Sequence, residues 1–430
     1  MHTGKKLFYG WWVVIAITIM FFTAGATPFA IVLKQLMAQF HTGRGEVSLC
    51  QSISMIGVCI SGIFVGRMLQ RHKPKTFILW GSVVIGITSL LLSLANSLWF
   101  LYTVYLIGGL AIGCSNVIAF DTLLSKWFNR KWGTAIGITM AGGGVGSIVI
   151  QPLVGIIDQN FGWRATYLFS GALVLAVNVP LILFVLKDNP ESMGLLPDGD
   201  QPGENASPSQ RDLPAKTGVE SPIIAQKTDL TAYLKKPALW LMGIGFAFIA
   251  IGYNAVTVHE VSFITDMKVS DTIAAAALGV TLGIGALSSF VSGWLADKLM
   301  SRYVSILFFS LSVVGLVLLL PSPTVSQIWL AVIIYGFGVG AVGTLVPLVT
   351  RDIFGTANFS TLFGFTVVLF AAGNAIGAPL AGFMFDATGS YHNVFIIVIA
   401  IYAAAILGIY LACGIRPKPL MRISTAKKLN

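Results

Sequence analysis

The sequence predicts an all-α membrane protein in which twelve transmembrane helices form two pseudo-symmetric six-helix bundles. Three observations carry this. Of 430 residues, 56% are apolar and only 10% are Asp, Glu, Lys or Arg, against roughly 25% charged in soluble proteins. The apolar residues come in runs of about 20, the length that crosses a hydrocarbon core of roughly 30 Å as helix. The second half of the chain also repeats the first at a fixed offset.

Taken in order, the first candidate span, 11–33, follows Lys5 and Lys6 and runs through Ala24-Gly25-Ala26. Those small residues mimic a signal-peptide cleavage site, but apolar sequence continues to Leu33, so the segment reads as a retained helix. Spans 46–66, 77–95, 99–121, 133–156 and 165–186 complete a first bundle, residues 1–187. Composition then changes to Asp, Glu, Pro, Gly, Ser and Lys, as in Gln201-Pro202-Gly203-Glu204-Asn205, giving a linker over 188–236 that cannot bury enough apolar surface to order itself fully. Spans 238–260, 272–295, 303–321, 326–349, 358–382 and 392–414 make the second bundle, residues 237–430, which ends in a basic tail.

The repeat offset is 227 positions. It matches Gly25 with Gly252, Gly66 with Gly293, Gly113 with Gly340, Gly137 with Gly364, Pro152 with Pro379, Gly155 with Gly382 and Gly162 with Gly389. Charge follows, since Arg71 meets Lys298 and Lys75 meets Arg302. Parallel repeats of this kind place a substrate site at mid-membrane between the two bundles.

The net charge of +10 is explained by topology. With a cytoplasmic N-terminus, 23 of the 27 Lys and Arg lie inside, leaving Lys34, Arg44, Arg164 and Lys268 outside; the opposite orientation would invert the positive-inside bias. Both termini and the linker are therefore expected in the cytoplasm, the protein in a bacterial inner membrane or plasma membrane, and its surroundings the lipid bilayer. Nucleic acid is not an expected partner, because binding it needs a concentrated basic face. Cys50, Cys59, Cys114 and Cys413 lie within spans without metal-ligand spacing and read as packing residues.

The connection after the second span of each bundle is the most specific motif. It reads Gly293-Trp294-Leu295-Ala296-Asp297-Lys298-Leu299-Met300-Ser301-Arg302 in the second half and Gly66-Arg67-Met68-Leu69-Gln70-Arg71-His72-Lys73-Pro74-Lys75 in the first. This resembles the signature loop of the major facilitator superfamily, and with the repeat and twelve spans the resemblance covers nearly the whole chain. It implies the major facilitator fold. A carboxylate here can pair with basic groups or a helix N-terminus next to it and latch the cytoplasmic side. The gating candidates are Asp297, Lys298, Arg302, Arg71 and Arg130; in the first half Gln70 stands where the Asp is expected, so the charged latch is intact only at Asp297. The alternative is that these basic residues only set topology.

A narrower resemblance rests on Trp127-Phe128-Asn129-Arg130-Lys131-Trp132-Gly133-Thr134-Ala135-Ile136-Gly137 and on Tyr9-Gly10-Trp11-Trp12-Val13-Val14. Both are similar to segments of the monocarboxylate transporters and their oxalate/formate antiporter relatives, as are Phe161-Gly162-Trp163-Arg164 and Asp386-Ala387-Thr388-Gly389-Ser390-Tyr391. The acidic residue expected before the first glycine is absent. The resemblance implies a carboxylate held by an Arg in the eighth helix or a Lys in the eleventh or first. Here the eighth and eleventh spans hold no cation, and Thr27 stands at the helix-one position. Lys34, further out, reads either as a snorkelling lysine or as the one cation near the path. A dianion such as oxalate is disfavoured, because each carboxylate would need its own partner in a low-dielectric site.

Ionisable groups within spans are candidates for proton coupling: Asp121 in the fourth, and His259 with Glu260 in the seventh. Asp121 could equally pair with Lys126 or Arg130, and His259 and Glu260 could sit at headgroup level. The uncharged polar candidates for substrate binding are Thr27 and its repeat partner Asn254, Tyr253 beside it, Asn116, Gln151 and Asn374. Each could instead be a helix–helix hydrogen bond; together they outline a weakly charged or neutral-polar site.

Other chemistries find no support. The histidines, His2, His41, His72, His259 and His392, are scattered, and no nucleophile–base pair or metal cluster is present, so neither enzyme activity, metal nor cofactor is expected. Gly142-Gly143-Gly144-Val145-Gly146 lies inside a span and lacks the Gly-Lys-Ser/Thr ending of a phosphate loop. The leading expectation is secondary transport of a small organic solute, a monocarboxylate or related metabolite, with protons as the candidate coupling ion. An exporter of amphipathic compounds and a membrane sensor without flux are the alternatives.

Overall fold

In the computed structural model the described residues, 8–69, 72–115, 117–128, 131–199, 233–296, 298–320, 324–355 and 359–415, form helices joined by short turns. The helices are α1 (Gly10–Ala24), α2 (Phe29–Phe40), α3 (Arg44–Met68), α4 (Pro74–Leu92), α5 (Leu98–Cys114), α6 (Val117–Trp127) and α7 (Trp132–Pro180) before the linker. After it come α8 (Pro237–Asp266), α9 (Asp271–Ala296), α10 (Ser301–Leu319), α11 (Val325–Val339), α12 (Val342–Phe354), α13 (Phe359–Thr388) and α14 (Tyr391–Gly414).

These make twelve crossings. Among the described residues ten apolar helical segments are long enough to span a membrane, and one of them, Thr134–Val185, has 52 residues. That segment breaks at Gly162, where φ is 77° and ψ 172°, so it crosses twice. The 25-residue α3 supplies the remaining crossing; at 1.5 Å per residue it is about 37 Å long. The first crossing is α1 with α2, the fourth α5 with α6, and the tenth α11 with α12.

The repeat is visible in backbone detail as well as in sequence. Gly162 and Gly389, 227 residues apart, both take positive φ, 77° and 69°, at the turn between the last two crossings of each half. His41 and Lys268 occupy the same left-handed region, at 51° and 62°, where the first crossing of each half ends. Ser97 and Thr324 are equivalent N-caps whose side chains accept the N–H groups of Phe100 and Gln327. α1 and α8 begin at equivalent residues, Gly10 and Pro237.

One departure from symmetry matters for the site. The first crossing is interrupted between Ala24 and Phe29, whereas its counterpart α8 is continuous. Proline has no N–H and its ring clashes with the carbonyl four residues back; Pro28 therefore ends α1 at Ala24, and the equivalent position in α8 is Ala255.

The two halves meet through α3 against α13 and α7 against α9. The linker joins them at one end of the bundle, called here the linker end; the opposite end is the far end. At the linker end of the first half, Phe8, Tyr9 and Trp11 pack on Trp127 and Phe128 with ring centroids 5.1–5.9 Å apart. Tyr9 Oη donates to the Val185 carbonyl and Trp127 Nε1 to that of Lys187. The two segments singled out for their transporter resemblance thus form one aromatic cluster.

Candidate functional site

At mid-membrane the break in the first crossing leaves backbone carbonyls without helical donors. Gln151 fills the gap: it is fully buried, and its Nε2 donates to the Gly25 carbonyl at 2.9 Å and lies 3.4 Å from the Thr27 carbonyl and 3.3 Å from Thr27 Oγ1. Gln151 and Thr27, both expected at the site, are therefore joined. Gln151 is committed to the break, while the Thr27 side chain is exposed. The Gln151 Oε1 atom is buried with no hydrogen-bond partner among the described residues.

The second half answers with Asn254, whose Oδ1 accepts the Ala378 N–H at 3.1 Å, next to the proline kink in α13. Pro379 cannot donate to the Ala375 carbonyl, and Ser52 Oγ of α3 donates there instead, across the two halves. Asn374 is buried and donates to the Phe370 carbonyl of its own helix, a local bond. Tyr253 is half-buried beside Asn254. Asn116 lies outside the described residues.

Above this level, toward the far end, the halves are clasped by charge. Arg44, 5% exposed at the start of α3, pairs with Asp266 at the end of α8 through both terminal nitrogens, at 2.9 and 3.2 Å. Lys34 Nζ is 2.6 Å from the same carboxylate. Lys34 is thus an ion-pair partner at the far end. The Asp386 carboxylate accepts the N–H groups of Arg44 and Gly45 at 2.9 and 2.8 Å, a charged N-cap supplied by the opposite half. The repeat equivalent is weaker: Thr272, the counterpart of Gly45, donates to Gln159, the counterpart of Asp386, at 3.0 Å.

His259 belongs to this clasp. Its Nε2 is 2.9 Å from the Ala378 carbonyl, an acceptor only, and 3.2 Å from Ser48 Oγ; its Nδ1 is 2.9 Å from Tyr391 Oη. The carbonyl requires the proton on Nε2, so Nδ1 accepts from Tyr391, which in turn accepts from Arg44 Nη1 at 2.5 Å. This chain is satisfied by a neutral imidazole. Glu260, one residue on, is 3% exposed and accepts from Thr281 Oγ1 at 2.7 Å. Asp121 is half-buried, with Oδ1 unpartnered among the described residues, and makes no ion pair with Lys126 there.

The linker-end gating candidates fall differently. Arg71, Arg130 and Asp297 lie outside the described residues. Lys298 Nζ sits 3.8 Å over the Trp294 ring, and Arg302 donates to Tyr303 Oη at 2.6 Å and stacks near Tyr410. Both stay within the second half.

Repeat-related glycines show which end is shut. Gly155 and Gly382, at the far end, abut the other half: Gly155 touches Ala275 and the Asp271–Thr272 backbone, Gly382 the Arg44–Gly45 backbone. Gly137 and Gly364, nearer the linker end of the same crossings, have open space where a Cβ would stand. The halves are closed at the far end and parted toward the linker end. Along α8, exposure declines in the same sense on one face, from Trp240 and Ile244 through Ile251 and Asn254 to buried Val258.

Sequence inspection missed the Arg44, Asp266 and Asp386 clasp, because its members lie hundreds of residues apart and next to turns. The signal available was that Arg44 is one of few cations expected at that end and that Asp266 and Asp386 sit at the ends of crossings in the opposite half.

Comparison with known proteins agrees with this architecture. The family model described as Major Facilitator Superfamily matches residues 13–369. Monocarboxylate transporter 12 of Rattus norvegicus is 28% identical over 350 residues, covering 79% of this chain and 68% of that one. Monocarboxylate transporter 4 of the same species is 26% identical over 424 residues, 96% and 85% of the two chains. The uncharacterized MFS-type transporter YcxA of Bacillus subtilis is 24% identical over 435 residues, 97% of each. Among solved structures, a bacterial homologue of the human lysosomal transporter Spinster superposes with a TM-score of 0.67 at 15% identity, covering 95% of this chain and 94% of that one.

Proposed function

The chain belongs to the major facilitator superfamily, a family of membrane transporters rather than enzymes, and on that premise we propose that it carries a small monocarboxylate or related metabolite together with a proton. The observation that supports this most is the pairing of far-end contact at Gly155 and Gly382 with open space at Gly137 and Gly364. Two halves related by one repeat and closed at only one end form one state of an alternating-access cycle. Relatives named monocarboxylate transporters support the solute class.

The site in this reading is the mid-membrane belt of Thr27, Gln151, Tyr253, Asn254, Asn116 and Asn374. Thr27 contributes an exposed side chain whose hydroxyl keeps its own proton to donate, and Gln151 holds the interrupted helix that presents it. With Lys34 and Arg44 engaged by Asp266, each charge on the solute would lie in the belt without a cation, which supports a single carboxylate carried with a proton over a dianion. With the linker in the cytoplasm, as the excess of Lys and Arg on that side favours, this state opens inward. Latching of the linker end by Asp297 with Arg71, Arg130, Lys298 or Arg302 belongs to the opposite state.

The test is uptake of radiolabelled lactate, pyruvate and acetate into proteoliposomes under an imposed proton gradient. Gradient-stimulated flux of at least one is expected; no stimulated flux for any of them would remove the monocarboxylate reading. Labelling of a Ser192→Cys variant from each side of the membrane fixes the orientation.

A further inference from the structure

Glu260 is a carboxyl group enclosed by the closed far end with almost nothing to balance a charge. It lies six residues from Asn254 and six from Asp266 on α8, about 9 Å along the axis from each. Oε1 has the Thr281 hydroxyl, and Oε2 is buried with no partner among the described residues. The residues next to this pair, Val261 and Ile264 on α8 and Leu278 on α9, pack in one apolar layer with Ala26, Ala30 and Ile31 of the first half. Closing the far end therefore assembles the layer that keeps water from the carboxyl.

The nearby cations are spoken for. Lys34 on α2 and Arg44 on α3 bind Asp266, and His259 is held neutral by its bonds to Ala378 and Tyr391. The acidic groups on the packed elements, Asp158 on α7, Asp266 on α8, Asp271 on α9 and Asp386 on α13, supply no compensating positive charge, and Tyr253, two turns earlier on α8, adds none. The hydroxyls of Tyr335 on α11 and of Tyr391 and Tyr402 on α14 are committed to other bonds. A carboxylate buried with one neutral donor costs several kcal/mol. The neutral acid costs far less, because its O–H can donate to Thr281 Oγ1.

We propose that Glu260 is a proton-binding site occupied when the far end is closed and emptied when it opens, so that each closure takes up one proton. This rests on the alternating-access part of the functional reading and is independent of the solute. Its sign is distinctive. Raising the pH deprotonates the open form and draws the equilibrium toward far-end opening. Titration of His259 would act oppositely, since a proton on Nδ1 breaks the bond from Tyr391 beside the Arg44 charge and would open the far end at low pH.

The test is a distance measurement between spin labels on Trp99→Cys and Val325→Cys, exposed at the far ends of α5 and α11, in full-length protein in lipid nanodiscs without substrate. The short-distance population should fall as pH rises, with the steepness of one proton. Glu260→Gln should hold the short distance at every pH. If that variant fails to insert, Thr281→Val serves: loss of the hydroxyl should move the midpoint about one pH unit lower. A pH-independent distribution in the parent, an unaltered pH response in Glu260→Gln, or an unmoved midpoint in Thr281→Val would overturn the proposal. Because no solute is present, absence of monocarboxylate flux would leave these outcomes intact.

Discussion

Arg44 and Asp266 form a forked ion pair that joins the second crossing to the seventh, with both guanidinium ends on one carboxylate. The arginine also lies 3.6 Å over the Phe385 ring, so its charge is held in a largely apolar setting with Asp266 on its outer, more exposed side. Replacing it by Gln removes the fork and the donor to Tyr391. Charge-assisted pairs of intermediate burial are worth about 2 kcal/mol, so Arg44→Gln should lower the far-end-closed population roughly 30-fold relative to open. The distance between spin labels on Trp99→Cys and Val325→Cys should lengthen accordingly; an unchanged distribution would show that the clasp does not govern closure.

Gln151 and Thr27 separate by readout although they touch. Gln151→Leu leaves the Gly25 carbonyl without its donor at a buried position, a loss of about 1–3 kcal/mol, so the melting temperature of purified protein should fall. Thr27→Val keeps shape and removes only the exposed hydroxyl. Its melting temperature should stay near that of the parent while the apparent KM for a transported monocarboxylate rises several-fold. Equal thermal losses in both variants would assign Thr27 to the scaffold.

Asn254 gives a parallel case in the second half. Its Oδ1 is engaged by Ala378 and the residue is half-buried on the α8 face that grows more exposed toward the linker end. Asn254→Asp preserves the acceptor but adds a negative charge beside the solute path. A transported monocarboxylate should then bind at least tenfold more weakly with little change in thermal stability, and unaltered KM would place the solute elsewhere.

How much was legible in sequence follows the range of the physics involved. The twelve crossings and the repeat were legible because hydropathy and glycine spacing are local or periodic signals, and Gly162 and Gly389 confirm the register in their shared positive φ. The break at Pro28 was missed although the residue was in plain view, since hydropathy continues unbroken to Leu33. Gln151 stands out in sequence as a polar residue inside a span, yet its task of capping carbonyls in another helix depends on how closely α1 and α7 approach. The family motif that signals a charged latch lies at the linker end, whereas the clasp present in this state joins Arg44 to Asp266 and Asp386 at the far end. One conformation displays only one gate, and sequence motifs do not say which.

The glycine pairs turn that asymmetry into an opposed prediction. Gly382 abuts the Arg44–Gly45 backbone, which cannot shift cheaply, so Gly382→Val should prop the far end apart and cost closure about 1–3 kcal/mol through overpacking. Gly364 lies four to five turns nearer the linker end of the same helix and has free space now, so Gly364→Val should be accommodated in this state. When the linker end shuts, Gly364 and Gly137, which lie about five turns from Gly382 and Gly155 on the same helix faces, come against the opposite half there, and the added methyls would then collide. Both variants should slow transport, but by trapping opposite ends: far-end spin labels should separate in Gly382→Val and stay close in Gly364→Val. If both variants shifted the distances the same way, or if Gly364→Val transported at the parental rate, the two halves would not exchange these contacts in the cycle.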